Sequence, residues 1–297
     1  MALHGIPSEG TVIQRGGYND AERNERPRMR GTSLSPEKSS SKPVFPICWD
    51  GPLPEPSVRT AEDLRGVLAD PMCTCTGPVY SMYRDVARSV NDRSWLAEQQ
   101  LRFDITVIPP REICGEFIKT KGHYHPNNPS GTGYPEIYEV LAGEAHYLIQ
   151  DTDCSHVVMI KACAGEIVLV PPGYGHVTIN PARTTFLQMA NIVSSVFSSN
   201  YQRYEAQRGA AYFERVKEGF VQNPAYAKPP PLRCVKAQRF AGPGKMITAP
   251  LYDLIERRAP VLEFLNYPER YVSLFRELPA AGAAPIQRDS SFGGNTA

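Results

Sequence analysis

From residue 79 to about residue 190 the chain consists of short runs in which apolar and polar positions alternate, separated by Pro, Gly and Asn. That period-two pattern, with turn signals at these intervals, predicts an all-β sandwich or barrel. In LRFDITVIPP, Leu101, Phe103, Ile105 and Val107 fall on one face of a strand, and Arg102, Asp104, Thr106 and Ile108 on the other. A strand divided in this way suits a wall with a pocket on its polar side. EIYEVLAGEAHYLIQ, HVVMIKACAGEIVLVPP and HVTINPARTTFLQMANIV continue the series.

Helical patterning is confined to the flanks. SVRTAEDLRGVLADP offers Ser57 or Thr60 as an N-cap, leucines four apart at 64 and 68, and a stop at Pro71. NYQRYEAQRGAAYFERVKEGF and APLYDLIERRAPVLEFLNYPERYVSLFREL also read as helical, the second following the proline-rich KPPPLR. The expected organisation is a disordered polar tail over 1–45, a β-rich domain over 46–235, a helical extension over 236–280 and a frayed end over 281–297.

Composition removes several classes of function. The 297 residues are 41% hydrophobic and 21% charged with a net charge of +1, so no basic footprint for nucleic acid or an anionic membrane is present. No apolar run reaches the roughly 18 residues of a membrane span, and MALHGIPSEG lacks signal-peptide character, which predicts a cytoplasmic protein. Seven scattered cysteines, with only Cys73 and Cys75 close together, predict unpaired thiols in a reducing compartment; a lone C-x-C is a weak zinc signal. The 28 prolines suit a fold with many corners.

The candidate chemistry starts at TKGHYH. His123 and His125 are two of only six histidines, and at i and i+2 in a strand both point to one face, with Cβ atoms roughly 7 Å apart. Glu136 follows, then Gly143, and GEIVLVPPGYGHVTIN supplies Gly165, Pro171, Gly173, His176 and Asn180. At this chain's composition, Gly, Pro, Gly and His fall at those offsets by chance on the order of 10⁻⁵ times per start, so the second segment is not accidental.

The two segments resemble the two motifs of the cupin superfamily. That resemblance implies a double-stranded β-helix, a jelly-roll barrel, with His123, His125, Glu136 and His176 holding a divalent metal inside it. Three imidazoles and a carboxylate suit Fe²⁺, Mn²⁺, Zn²⁺ or Ni²⁺ without choosing among them, and the coordination positions left over make the site catalytic in style. The interval between His125 and Glu136 is longer than in most cupins, so PNNPSGTGYP is expected to be an extended hairpin loop. Glu139 and Glu144 are rival ligands, but only Glu136 keeps the cupin spacing to Gly143.

Over roughly residues 57–215 the chain further resembles the cupin-type, metal-dependent glucose-6-phosphate isomerases, most closely at TKGHYH, PEIYEVLAGE and PPGYGH. This implies that Thr106, Thr120 and Gly122, with Lys121 adding charge, hold the phosphate of a sugar phosphate substrate. Glu136 would shuttle a proton between C1 and C2, with a metal-mediated hydride shift between the two carbons as the alternative, and Tyr138 would orient a sugar oxygen. Thr120 has the wrong strand parity to share a face with His123, so a bulge or bend is expected at Gly122. Asn191, Tyr201 and Tyr212 are offered as further pocket residues, His146 and His156 as histidines outside it. The readings competing with a glucose-6-phosphate isomerase are an isomerase active on mannose 6-phosphate, a cupin dioxygenase and a sugar-binding cupin. A homodimer is the expected assembly.

Overall fold

The computed structural model describes residues 47–237 and 247–276, so the expected tails lie outside the described residues. In chain order the strands are β1 Ser57–Thr60, β2 Pro78–Tyr83, β3 Leu101–Ile108, β4 Glu112–Ile113, β5 Glu116–Phe117, β6 Glu136–Ala142 and β7 Glu144–Asp151. They continue as β8 Val157–Cys163, β9 Ile167–Val170, β10 Tyr174–Ile179, β11 Leu187–Ser194, β12 Tyr212–Arg215, β13 Gly219–Gln222 and β14 Arg233–Lys236. The helices are α1 Ala61–Leu64, α2 Val90–Glu98, α3 Gln202–Ala206, α4 Tyr252–Glu256 and α5 Val272–Arg276, with single 3₁₀ turns beside them. No helix among the described residues is long and apolar enough to cross a membrane.

The strands form a six-stranded sheet in the order β1-β2-β3-β11-β6-β9, a four-stranded sheet β10-β7-β8-β14 and a small sheet β13-β12-β5-β4. Pairing is antiparallel except between β14 and β8. The first two sheets share one core. Tyr138 on β6 packs on Tyr147 of β7 with ring centroids 5.2 Å apart, and the Tyr147 hydroxyl reaches Met189 Sδ of β11 at 3.5 Å. Val140, Leu148, Met159 and Val177 fill the space around them. This is the all-β, cupin-type jelly roll that the patterning and the resemblance predict.

β3 is buried on both faces because something covers its outer side. Phe103 packs on Trp49 and on Tyr252 of α4, centroids 5.5 and 5.0 Å apart, and the Leu251 N–H donates to Glu139 Oε2 at 2.5 Å. Glu139, a rival metal ligand by sequence, therefore points away from the barrel interior and fastens the C-terminal segment. Burial pushes its carboxyl up from the ordinary value, and the Leu251 N–H opposes that shift.

Three local expectations need correction. The helical reading of residues 200–220 holds only for α3; from Tyr212 the chain turns into the β12–β13 hairpin, whose registers pair Tyr212 with Gln222 and Arg215 with Gly219. Helix α2 was not expected. It buries only Asp92 and Leu96, too few positions to show a 3.6 period, and it is started by Ser89, whose hydroxyl accepts from Asp92 N–H at 3.0 Å. The expectation of unpaired thiols fails at one place: Cys73 and Cys114 form a disulfide, since the loop before β2 and the β4–β5 turn converge. At the predicted first helix, Thr60 is the N-cap and forms a capping box with Asp63.

The segment leading to the histidines runs antiparallel to β10 and carries the expected irregularity. Lys119 faces Ile179, whereas His123 faces His176, so four steps on one strand match three on the other. The extra residue is absorbed at Gly122, with φ +77°. A Cβ there would lie 2.5 Å from Val177 Cγ2 and 3.1 Å from Tyr204 Cδ2. Gly122→Ala is expected to lower stability by at least about 2 kcal/mol in urea unfolding, through the left-handed backbone and the overpacking together. A change within measurement error would mean that the bend is soft.

Candidate metal centre and substrate pocket

The bulge sets the site. His123 N–H donates to His176 carbonyl at 3.2 Å and His176 N–H to His123 carbonyl at 3.1 Å, so the two sequence motifs are joined backbone to backbone. His125 is fixed by its own ring: Nδ1 donates to the Tyr134 carbonyl at 2.9 Å, which leaves Nε2 as the nitrogen with a free lone pair. Glu136 opens β6 between Val193 and Val170, and it is only 3% exposed.

Four donor atoms converge. Nε2 of His125 and of His176 lie 3.3 and 3.2 Å from Glu136 Oε2, Nε2 of His123 lies 4.0 Å from it, and the nearest pair of imidazole nitrogens is 3.1 Å apart. Donors that share one ion at about 2.1 Å stand roughly 3.0–4.2 Å from one another, so this set fits a single divalent metal. Glu136 Oε2 is buried and has no hydrogen-bond donor, while Oε1 accepts from Asn191 Nδ2 at 2.7 Å. A buried carboxylate oxygen left open among three imidazoles is an atom arranged for a cation. The His123, His125, Glu136 and His176 group can thus hold a metal ion.

The protonation states agree with that reading. Burial pushes the His123 imidazole well below its ordinary value, helped by the neighbouring His176 and His125, and burial likewise lowers His176. Neutral imidazoles are the form that binds metal. Burial alone would raise the Glu136 carboxyl, but its contacts with His125 and His176 outweigh burial and hold it well below the usual range. Tyr138 sits beside the ligands, its hydroxyl 2.9 Å from His176 Nε2. Burial first and the Glu136 charge second keep it a protonated donor.

A cleft of about 290 Å³ rises from these ligands, a size suited to a small metabolite. Thr106, Thr120, Lys121 and Gly122 line it together with the metal group and Tyr138, so every site residue expected from the sequence reaches one pocket. The Thr120 hydroxyl accepts from Thr178 N–H at 2.9 Å. The Lys121 ammonium pairs with Glu205 at 2.6 Å, and its backbone N–H donates to the Tyr80 hydroxyl at 3.2 Å.

Of the further pocket residues offered, Asn191 and Tyr201 line the cleft; Tyr212 does not, because its hydroxyl donates to the Pro230 carbonyl on the other side of the small sheet. His146 pairs with Glu214 at 2.9 Å, away from the cleft. Sequence reasoning missed Tyr80, Met82 and Arg84, which the alternation of PVYSMYR places on one face of β2 and its continuation. Arg84 and Arg102 both bind the fully buried Asp104, at 2.6 and 2.8 Å, so one carboxylate orients two guanidiniums of the cleft wall.

A family model described as Glucose-6-phosphate isomerase (GPI) matches residues 58–229, more than half of the chain, including every residue of the metal group. The chain belongs to this family. Among curated relatives, the glucose-6-phosphate isomerase of Thermococcus litoralis is 37% identical over 93 residues, 31% of this chain and 46% of that protein. That of Thermococcus gammatolerans is 31% identical over 138 residues, 45% of this chain and 67% of the relative. That of Pyrococcus abyssi is 33% identical over 93 residues, 31% and 47% of the two. For most of them, the chain spans about half the length of the curated relatives it matches. Among solved structures, an oxalate decarboxylase of Bacillus subtilis is similar over 41% of this chain and 28% of its own, with 17% identity and a TM-score of 0.31.

Linkage gives a test of the metal-free site. The unfolded chain holds His123 and His176 near their ordinary value of 6.5, and the folded chain holds them lower, so the unfolded state binds more protons as the pH drops below that value. Metal-free protein is expected to lose stability as the pH falls through about 6.5, read as a declining urea midpoint. A flat midpoint across that range would contradict the neutral-imidazole state.

Proposed function

We propose that this protein interconverts glucose 6-phosphate and fructose 6-phosphate, using one divalent metal held by His123, His125, Glu136 and His176. Fe²⁺, Mn²⁺, Zn²⁺ and Ni²⁺ all suit that donor set. The reading is carried by a single juxtaposition, a metal-ligand group and hydroxyls with a close-approaching backbone in one cleft of metabolite size. Membership of the family and the printed activity of its relatives support it. The proposed setting is the cytoplasm and the proposed assembly a homodimer.

The phosphate would rest against Thr106, Thr120 and Gly122, with the two hydroxyls as donors to its oxygens. Lys121 brings positive charge to that end, tempered by Glu205. When bound, the metal would supply Lewis acidity that polarises the carbonyl of the open-chain sugar. Glu136 is the proposed proton carrier between C1 and C2; the Asn191 amide holds its Oε1 at 2.7 Å and so fixes the plane of the carboxylate. Tyr138 is the proposed donor to a sugar oxygen. Its hydroxyl lies 2.9 Å from His176 Nε2; with that nitrogen holding a metal, the O–H proton would be free for the substrate.

The test is chelator-stripped protein, reloaded with single metals and given fructose 6-phosphate. Turnover is expected with at least one metal and is expected to disappear in His125→Ala. Thr120→Val is expected to raise KM about tenfold or more with kcat much less affected, while Thr120→Ser stays near the parent. No turnover with any metal would remove the activity from the proposal, and an unchanged KM in Thr120→Val would remove Thr120 from the phosphate end.

A further inference from the structure

Away from the metal cleft, three sulfur atoms meet where the loop before β2 crosses the tip of the β4–β5 hairpin. Cys73 and Cys114 form the disulfide, Cys75 Sγ lies 3.5 Å from Cys114 Sγ, and all three sulfurs fall within 4.8 Å of one another. We propose that these cysteines form a thiol–disulfide exchange site, in which Cys114 alternates between Cys73 and Cys75 as its partner.

The local structure holds the three sulfurs together. Ile113 pairs with Glu116, so Cys114 and Gly115 are the two central residues of the hairpin turn, with φ of 48° and 81°. Two left-handed residues make a type I′ turn, a place for Asn, Asp or Gly. A cysteine has no conformational reason to occupy the first position; what it gains is a sulfur at the hairpin tip, facing the loop. The Cys-x-Cys spacing then puts two sulfurs of the loop within reach of that tip.

The two partners differ in accessibility. Cys73 is 5% exposed, whereas Cys75 is open to solvent. A cation lies over the turn: the Arg215 Nη2 is 3.1 Å from the point where a side chain on Gly115 would begin, and its Nε pairs with Glu218 at 3.3 Å.

The exchange balances without any outside oxidant or reductant. The Cys75 thiol loses its proton, and the thiolate attacks Cys114 Sγ. A bond forms between Cys75 and Cys114 as the bond between Cys73 and Cys114 breaks; the electron pair leaves on Cys73, which takes up a proton. The number of disulfides is unchanged, but the bridge has moved from a shielded sulfur to an exposed one. A small thiol from solution then meets a disulfide it can attack, so Cys75 is the point of entry for reduction and for mixed-disulfide formation.

The experiment uses the full chain held without oxygen at mildly alkaline pH, quenched with acid, blocked with N-ethylmaleimide and digested for mass spectrometric mapping. Cys114 is expected to be found linked to both Cys73 and Cys75, with the blocking label divided between the two loop cysteines. Cys73→Ser is expected to keep a bridge, now to Cys75. Cys75→Ser is expected to confine the bridge to Cys73 and to slow its reduction by glutathione about tenfold or more. The proposal is overturned if the label stays on Cys75 alone in the parent, or if Cys75→Ser is reduced as fast as the parent. A Cys73→Ser protein with an unchanged circular dichroism spectrum and no Cys75–Cys114 bridge also overturns it.

Discussion

The site depends on one backbone pairing, the reciprocal hydrogen bonds between His123 and His176 with an extra residue inserted just before them. Those two bonds join motifs that are far apart in sequence, and the insertion at Gly122 decides which way the side chains face. Upstream of the bulge, Thr120 engages the Thr178 backbone and turns its hydroxyl to the cleft; downstream, His123 and His125 share a face toward Glu136. A one-residue slip in such a ladder would send the whole set to the opposite face. Glycine is the residue that fits this bend, because a Cβ at position 122 would fall against Val177 and Tyr204.

Gathering this set has a cost that the barrel supports. Three imidazoles are crowded within 4.0 Å of a buried carboxylate oxygen, and burial lowers two of them below their ordinary pKa. Two of the ligand side chains are held from behind, His125 through the Tyr134 carbonyl and Glu136 through Asn191, while His123 and His176 are placed by their mutual backbone pairing. Ligands oriented in this way need little rearrangement to receive a cation, which is the advantage of a preformed site. The same logic runs through the wall of the cleft, where Asp104 aligns Arg84 and Arg102.

Much of this was legible in the sequence, for reasons that can be stated residue by residue. Alternation in LRFDITVIPP marked a strand with a polar side, and Arg102 and Thr106 do line the cleft. The resemblance of GHYH, Glu136 and the second glycine–proline–histidine segment to the cupin motifs implied the four donors that the fold brings within 4.8 Å of one another. Parity anticipated the bend at Gly122. What stayed hidden is what only tertiary structure supplies. Helix α2 buries too few apolar positions to show a period, and the residues from Tyr212 onward carry helix-forming side chains yet are drawn into a hairpin by pairing. The partners of Asp104, the role of Glu139 in fastening Leu251, and the Cys73–Cys114 bridge join positions whose proximity no local pattern encodes.

Two groups among the described residues could attract a soft divalent ion, the imidazole–carboxylate group and the cysteine cluster, and the proposed metal belongs to the first. X-ray absorption at the zinc edge, on protein reduced and loaded with one equivalent of Zn²⁺, separates them directly. The account predicts a shell of nitrogen and oxygen donors at about 2.0–2.2 Å with the outer scattering of imidazole. A sulfur shell at about 2.3 Å would place the ion on cysteine and contradict it.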